Sequence, residues 1–350
     1  MHRSNPHRPL YAPFEGPVGT LYAELAERAR TEARLLPGTP GFLTLRERPG
    51  FGSYWYWRHY EQPGAPQVEE FVCKEDDLDA YQAMLGRIEA AAWSQEQVRM
   101  LRQVGMQVAD KDTARVLVEL HNLALFNAGL VLVGTLAFMI WLNELGVKAV
   151  ASRTQDVDLA RRQKLKLAAP LSFFEAVKAT KLGFFAIPGL AAGAPSTSVK
   201  RPGTEGLRVD VLTSGPELGQ VVPVPELDWH AQTIPHFNYL LAQPRRAAML
   251  AGGHCIPVSV PAPERLAWHK LYSSTQRTHD VAKADKDLRQ AATLLALLVE
   301  RENLGLVASA VAAPKDVLGS ARQRLPALRN LLLPHPQALD EVERALAVPK

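Results

Sequence analysis

Apolar and polar positions in the N-terminal third of the chain change from helical to strand spacing and back. Residues 19–35 predict a short helix, which the prolines and glycines of residues 37–41 end. Residues 41–74 have β-forming residues on both sides of the sequence PGFG, which predicts a small antiparallel meander. Apolar residues recur at helical spacing over 76–107, and a second helix is expected over 112–127.

An uncharged and mostly apolar stretch follows at residues 128–142. A strand-favouring run precedes Gly134 and Thr135, and a helix-favouring run follows them, so we expect a buried strand, a turn and a buried helix. The stretch is shorter than the roughly 20 residues that a membrane-spanning helix needs. We therefore expect no membrane span.

Strand and helix patterns alternate in the rest of the chain. The sequence SFFE at residues 172–175 is a capping-box pattern that starts a helix, and a short strand is expected over 184–187. A loop rich in Gly, Pro and Ser is expected over 188–206, before the alternating strand pattern LRVDVL at 207–212. From Pro263 the chain is expected to be helical almost to its end.

Composition narrows the class of protein only slightly. The chain has 350 residues, enough for two domains, and its 40 Lys and Arg against 36 Asp and Glu give a formal charge of +4. This mildly basic balance is compatible with nucleotide or nucleic-acid partners. The two cysteines, Cys73 and Cys255, exclude a disulfide framework and a cysteine-rich zinc site, and they fit a reducing cytoplasm.

The sequence TQDVDLA, residues 154–160, places two carboxylates on one face of an expected strand. Asp156 and Asp158 are separated by one residue, so their side chains point the same way and repel each other. A cation between them, or protonation of one carboxyl, would relieve the repulsion. The pair therefore marks either an exposed strand end or a metal site.

Two other segments carry matching chemistry. Gly134 and Thr135 lie between a strand and a helix, where a close backbone approach, a hydroxyl and free helical N–H groups would bind an anion such as a triphosphate. Asp210 lies on the polar face of the LRVDVL strand, and three carboxylates meet if this strand pairs with the strand of the acid pair. Such a set can hold two Mg²⁺ (or Mn²⁺) ions beside a nucleoside triphosphate.

A site of this kind supports in-line displacement at the α-phosphate of the triphosphate. One ion would activate an acceptor hydroxyl and the other would stabilise the leaving pyrophosphate, with Asp210 as the base or as a ligand of the activating ion. Lys270, on the helix that begins at Pro263, would hold the triphosphate as a point charge. Asp287 lies in line with core-facing positions and is expected to border the site, with Lys283 one turn before it as a further contact.

The sequences GTLAF, TQDVD, RVDVL, VPAPERLAWHKL and KDLRQA together resemble the nucleotidyltransferase superfamily of DNA polymerase β. Within it, the chain resembles a bacterial nucleotidyltransferase-fold family and is distantly similar to AbiEii-type nucleotidyltransferase toxins. The resemblance covers about residues 110–305. It implies that Gly134 and Thr135 form the nucleotide-binding turn. It also implies that Asp156, Asp158 and Asp210 are the metal ligands, and that Lys270 and Asp287 match the later lysine and acidic motif of the toxins.

The resemblance also implies a fold and a reaction. The expected fold is α/β (α+β): a polymerase-β-like core with a mixed sheet at 111–260, a helical C-terminal domain at 261–350, and a small α+β N-terminal domain at 1–110 that would bind the acceptor. The expected reaction moves a nucleoside monophosphate from an NTP to an acceptor hydroxyl and releases pyrophosphate. The acceptor would be an RNA 3′ end, a protein side chain or a small molecule, and the basic balance and the sequence YWYW tilt the choice toward RNA.

Two alternative functions stay open. The chain could be a non-catalytic nucleotide- or nucleic-acid-binding protein that keeps the pocket, although a pure binder would not need the complete carboxylate set. It could also be a toxin-like nucleotidyltransferase silenced by an antitoxin-like partner, which only the resemblance suggests.

Some residues have a structural interpretation beside the functional one. The sequence YWYW at 54–57, with Arg46, Arg48 and Arg58 nearby, could stack bases, but aromatic strands more often pack a small core of their own. Asp287 could simply pair with the lysine one turn before it at the protein surface.

Overall fold

The N-terminal part of the chain forms a helix, a three-stranded meander and a long helix. The computed structural model describes residues 8–61, 65–150, 154–189 and 193–348. The meander is antiparallel throughout, as the sequence predicts. The first elements are β1 (Tyr11–Pro13), α1 (Gly16–Thr31), β2 (Phe42–Arg48), β3 (Gly52–His59), β4 (Val68–Lys74) and α2 (Leu78–Gln103).

The middle of the chain contains more short elements than its pattern predicts. The helix expected over 112–127 is broken at Ala124, whose φ of 55° is left-handed. The loop expected over 188–206 contains a strand, and its residues 190–192 lie outside the described residues. The elements are α3 (Lys111–Asn122), α4 (Leu125–Ala128), β5 (Val131–Leu132), α5 (Gly134–Glu144), β6 (Val147–Ala149), β7 (Asp156–Arg161), α6 (Phe173–Lys178), β8 (Phe185–Ile187), β9 (Ser198–Lys200), β10 (Arg208–Ser214), β11 (Val221–Val224), a 3₁₀ turn (Pro225–Leu227), β12 (Trp229–Ile234), α7 (Phe237–Leu240), β13 (Arg245–Ala251) and β14 (His254–Val260).

The end of the chain is helical, as expected from Pro263 onward. Trp268, on the first of these helices, is fully buried, and its indole N–H donates to the Ser309 hydroxyl at 2.9 Å. The helices share one hydrophobic core with the middle of the chain. They are α8 (Pro263–Gln276), α9 (Val281–Glu300), α10 (Val307–Ala312), α11 (Lys315–Leu332) and α12 (Pro336–Ala347). The fold is therefore mixed α+β, as predicted.

A seven-stranded mixed sheet positions the acidic residues. Its main path runs β11-β12-β10-β7-β5, and β9 pairs antiparallel with the first part of β10 and with β8. Strands β7 and β10 are parallel neighbours, and their register sets Asp210 beside Asp158. The expected pairing of these two strands is thus confirmed. Val209 and Val211 are fully buried on the opposite face of β10, which fixes the polar face toward the cavity described below.

The apolar stretch at 128–142 forms β5 and the 11-residue helix α5 around a turn at Gly134, as expected. Long apolar helices of the kind that cross a bilayer do not occur in the described part of the chain.

The N-terminal segment is joined to the rest of the molecule through α1. Tyr22 and Leu25 of α1 and Leu101 of α2 form a hydrophobic cluster with residues of β13 and β14. The Tyr22 hydroxyl donates to the Glu144 carboxylate at 2.9 Å, and Glu144 also accepts from the backbone N–H of Ala248 at 3.0 Å. The division of the chain at residues 110 and 260 stays a prediction.

Truncating Leu101 to alanine should reveal how much this cluster contributes. Leu101 is 0% exposed, so Leu101→Ala is expected to lower the free energy of unfolding by about 2–5 kcal/mol, measured by urea denaturation. Leu78→Ala on the same helix is the matched control: Leu78 is 67% exposed and its loss should cost under about 0.5 kcal/mol. Equal effects of the two substitutions would contradict the packing described here.

Candidate active site

A cavity of about 490 Å³ lies between the mixed sheet and the helices α8 and α9. The structure brings all the candidate residues of the sequence to this one place. They come from the β5–α5 turn, β7, β10, α8 and α9: Gly134, Thr135, Asp156, Asp158, Asp210, Lys270, Lys283 and Asp287. Their chemical roles stay predictions.

The carboxylates line the sheet side of the cavity. Asp158 is partly buried, Asp210 lies beside it in register, and Asp156 is exposed at the start of β7. Burial, and then the negative charges of Asp210 and Asp156, raise the pKa of Asp158 to about 6. The repulsion expected from the sequence is thus a property of the folded protein.

Asp210 is held by one side chain of its own strand and one of the neighbouring strand β9. Arg208 Nε donates to Asp210 Oδ1 at 2.8 Å, and the Ser198 hydroxyl donates to the same oxygen. Arg208 Nη2 also donates to the Ser198 hydroxyl at 2.8 Å, which closes a three-membered network. Ser198 was not predicted as a site residue because it lies in β9, a three-residue strand inside the expected loop.

The turn before α5 brings the backbone close to the acid pair. Gly134 has a φ of 69°, and a Cβ built on it would overlap with the Asp158 carboxylate. The Val133 N–H donates to the Asp158 backbone oxygen at 2.9 Å. The first turn of α5 contains no acidic residue and no side-chain cap, so its N–H groups remain suited to an anion.

The helices supply a buried ion cluster on the opposite side of the cavity. Lys270 Nζ lies 2.9 Å from Asp287 Oδ1, and Arg277 Nε lies 2.7 Å from Asp287 Oδ2. Burial alone would raise the pKa of Asp287, but the charges and hydrogen bonds of Lys270 and Arg277 outweigh it and lower this pKa below its ordinary value. Lys283 pairs instead with Asp280 at 3.6 Å, so the interpretation of Asp287 as a surface partner of Lys283 is wrong.

Three further residues of the cavity wall were missed in the sequence. Arg277 follows the last turn of α8, and Lys286 precedes Asp287 on α9. Burial, and then the charge of Lys270, lower the pKa of Lys286. Burial lowers the pKa of His269 to about 4, which keeps its ring neutral near pH 7. The residues lack a motif of their own; only His269 lies on a buried helix face, whereas Arg277 is exposed after the end of α8.

The charges of the cavity are segregated by element. Carboxylates predominate on β7 and β10, whereas Lys270, Arg277, Lys283 and Lys286 come from α8, α9 and the segment between them. A polyphosphate that also carries a divalent cation complements such a wall on both sides, because the phosphates face the helices and the cation faces the sheet.

The carboxylate oxygens on the sheet side are suitable ligands for a hard divalent cation, but the side chains are not close enough together to form a complete metal site. Carboxylate oxygens are the ligands that Mg²⁺ and Mn²⁺ prefer, and a cation would offset the negative charges of Asp210 and Asp156 that, after burial, raise the pKa of Asp158. Among the described residues, however, no group of three or more His, Cys, Asp or Glu side chains is gathered closely enough to hold a metal ion. Both contacts that hold Asp210 use Oδ1.

Comparison with known proteins finds a matching protein family and a similar solved structure. A protein-family model described as Nucleotidyltransferase matches residues 111–313, more than half of the chain. Among solved structures, the chain is similar to the crystal structure of an antigenic nucleotidyltransferase-like protein from Paracoccidioides brasiliensis, with 15% sequence identity and a TM-score of 0.37, over 66% of this chain and 91% of that chain. A TM-score this low supports no inference. None of the curated proteins matches the chain significantly.

Replacing Gly134 should test the close approach to Asp158. Gly134→Ala is expected to cost more stability than Gly146→Ala, by at least about 1 kcal/mol. Both glycines have a left-handed φ, 69° and 66°, which alone costs roughly 1–2 kcal/mol for alanine, but a Cβ at 146 meets nothing within 4 Å. Thermal unfolding of the two variants measures the difference. The excess should disappear when both are made in an Asp158→Ala background; an excess that persists there would exclude the carboxylate as its cause.

Replacing Asp158 by asparagine should stabilise the protein in metal-free buffer at pH 8. The carboxyl titrates at about 6 in the folded chain against 3.8 ordinarily, so its ionisation weakens the fold as the pH rises through this interval. Asp158→Asn should therefore add roughly 1–3 kcal/mol at pH 8, since one unit of pKa shift is about 1.4 kcal/mol. The gain should vanish below about pH 4, where the wild-type carboxyl is protonated in both states. Denaturant titrations across this range measure it, and a gain independent of pH would contradict the electrostatic cause.

Proposed function

The chain belongs to the nucleotidyltransferase family, and from this we propose that it transfers a nucleoside monophosphate from a nucleoside triphosphate to an acceptor hydroxyl and releases pyrophosphate. One observation supports this most strongly: carboxylates on two paired strands face lysines and an arginine across a single cavity. A binding protein for nucleotides would need the cations but not the mutually repelling carboxylates.

The proposal gives the helix side of the cavity the task of binding the triphosphate. Lys270 and Lys286 neutralise its outer phosphates, and the free N–H groups at the start of α5 contact a phosphate oxygen. Asp287 acts as a positioning residue, because it holds Lys270 and Arg277 through its two carboxylate oxygens. The lysines also neutralise the charge that develops on pyrophosphate as the α-phosphorus–oxygen bond breaks.

The sheet side receives the divalent cation and the acceptor. Asp156, Asp158 and Asp210 would hold Mg²⁺ or Mn²⁺, which would polarise the α-phosphate and lower the pKa of the acceptor hydroxyl. Asp210 offers Oδ2 for this purpose, since Ser198 and Arg208 engage Oδ1. Asp210 is also the group placed to accept the proton of the hydroxyl as its oxygen bonds to phosphorus.

We propose an RNA 3′ end as the acceptor, on the basis of the basic charge balance and the aromatic meander of the N-terminal segment. A cytoplasmic location is proposed from Cys73 and Cys255, both of which are free and buried. The bacterial origin, the similarity to AbiEii-type toxins and a silencing partner stay predictions.

Transfer of label from nucleotides should reveal the activity directly. Purified protein incubated with each α-labelled NTP, Mg²⁺ or Mn²⁺, and cellular RNA or protein is expected to label one fraction. Asp210→Asn should lower the rate by roughly 10²–10⁴-fold, the range of a lost general base. Asp285→Asn is the matched control, because Asp285 is exposed on α9 and does not line the cavity.

The other outcomes identify the alternatives. Labelling that Asp210→Asn leaves unchanged would exclude this cavity as the source. Absence of labelling, with NTP binding that Lys270→Ala abolishes, would establish a non-catalytic binder. Growth arrest on expression of the chain alone, relieved by Asp156→Ala, would establish a toxin-like enzyme.

A further inference from the structure

The three-stranded meander has two faces of different chemistry. The tryptophans of YWYW point toward α2: Trp57 is 3% exposed, stacks on His59 with ring centroids 3.5 Å apart, and donates its indole N–H to the Pro40 oxygen. Trp55 lies against Tyr81 of α2 at 4.6 Å. The interpretation of YWYW as residues that pack a small core is therefore correct for its two tryptophans.

The tyrosines of the same strand point the other way and join an aromatic cluster on the outer face. Tyr54 and Tyr56 both contact Phe71, at centroid distances of 6.1 and 6.0 Å. Phe71 is 60% exposed, and Phe42 at the start of β2 is 52% exposed. Large exposed rings that adjoin one another on a sheet are characteristic of a surface that has a partner.

Positive charge surrounds these rings. The Arg48 guanidinium lies 5.9 Å from the ring centre of Tyr54 and 5.6 Å from that of Tyr56, and Arg58 lies 5.8 Å from that of Phe42. The pairing register adds Arg46 and Lys74 to the same face, against a single carboxylate, Glu69, which pairs with Arg46. We call this surface the aromatic face; it comprises Phe42, Arg46, Arg48, Tyr54, Tyr56, Arg58, Phe71 and Lys74.

We propose that the aromatic face binds single-stranded RNA. This proposal rests on the proposed function, because the bound RNA would be the acceptor of the transferred nucleotide. Unpaired bases stack on flat aromatic rings, and arginines beside the rings contact the phosphate backbone. A duplex does not offer its base faces, and four cations against one carboxylate complement a polyanion rather than an ordinary protein surface.

An ion pair connects the end of the meander to the segment before β8. Glu61, just after β3, pairs with Lys181 at 2.9 Å, and Lys181 precedes β8. Strand β8 pairs with β9, whose Ser198 contacts Asp210. One ion pair thus links the end of the meander to the segment that precedes β8.

Binding of a 5′-fluorescent, unstructured 20-nucleotide RNA tests this proposal by fluorescence anisotropy, without NTP or divalent cation. Phe71→Ala should raise the Kd roughly 5- to 100-fold, the effect of one lost stacking contact. Arg48→Gln should weaken binding and reduce the slope of log Kd against log salt by about 1. The matched controls are Leu333→Ala, a 52% exposed apolar side chain just after α11, and Arg99→Gln on α2; both should bind as the wild type does.

Three outcomes would overturn the proposal: equal losses in the target and control variants, a duplex of the same sequence bound as tightly as the single strand, or single-stranded DNA bound as tightly as RNA. Unchanged thermal unfolding of Phe71→Ala excludes misfolding as the cause of a loss. Because the binding assay contains no NTP, RNA binding can be absent while labelling at the cavity succeeds, or present while labelling fails. The two proposals are therefore judged separately.

Discussion

Repulsion among carboxylates on two paired strands is the constraint on which the cavity depends. The parallel register of β7 and β10 forces Asp158 and Asp210 together, and the left-handed Gly134 lets the backbone close over the carboxylate of Asp158. The fold compensates this negative charge only in part. Arg208 pairs with one oxygen of Asp210 and Ser198 donates a hydrogen bond to the same oxygen, while the pKa of Asp158 stays raised. A bound cation would relieve the remaining repulsion and stabilise the folded chain.

The ion cluster of Lys270, Arg277 and Asp287 has the opposite character, because its one carboxylate is paired within the protein. Asp287 is 5% exposed and lies between Lys270 and Arg277, so each of its oxygens has a cationic partner. Loss of Asp287 would leave the buried Lys270 without its partner, and breaking a buried pair typically costs about 3–5 kcal/mol. The sheet side of the cavity is thus poised to change its partners, whereas the helix side is held in place.

Residue spacing predicts those parts of the site that follow from local periodicity. Alternation in LRVDVL orients Asp210, and the glycine between a strand and a helix marks the turn at Gly134, so both were placed from sequence. Ser198 and Arg277 escaped prediction because the first lies in a strand too short for alternation and the second follows the end of a helix. The packing interpretation of YWYW holds for its tryptophans, whereas the tyrosines point outward, so that base stacking by this strand stays a proposal.

Helix α5 connects the cavity to the site where α1 is attached. This connection matters for the design of shorter fragments of the protein. Gly134 begins α5 at the cavity, and Glu144 ends it, roughly 15 Å away at 1.5 Å per residue, where the Tyr22 hydroxyl and the Ala248 N–H share its carboxylate. A fragment that starts at residue 111 would remove Tyr22 and expose the apolar surface of β13 and β14 that α1 covers. Solubility and folding of such a fragment would then report on an uncovered scaffold, so work on the isolated core should retain α1 or supply it as a separate peptide.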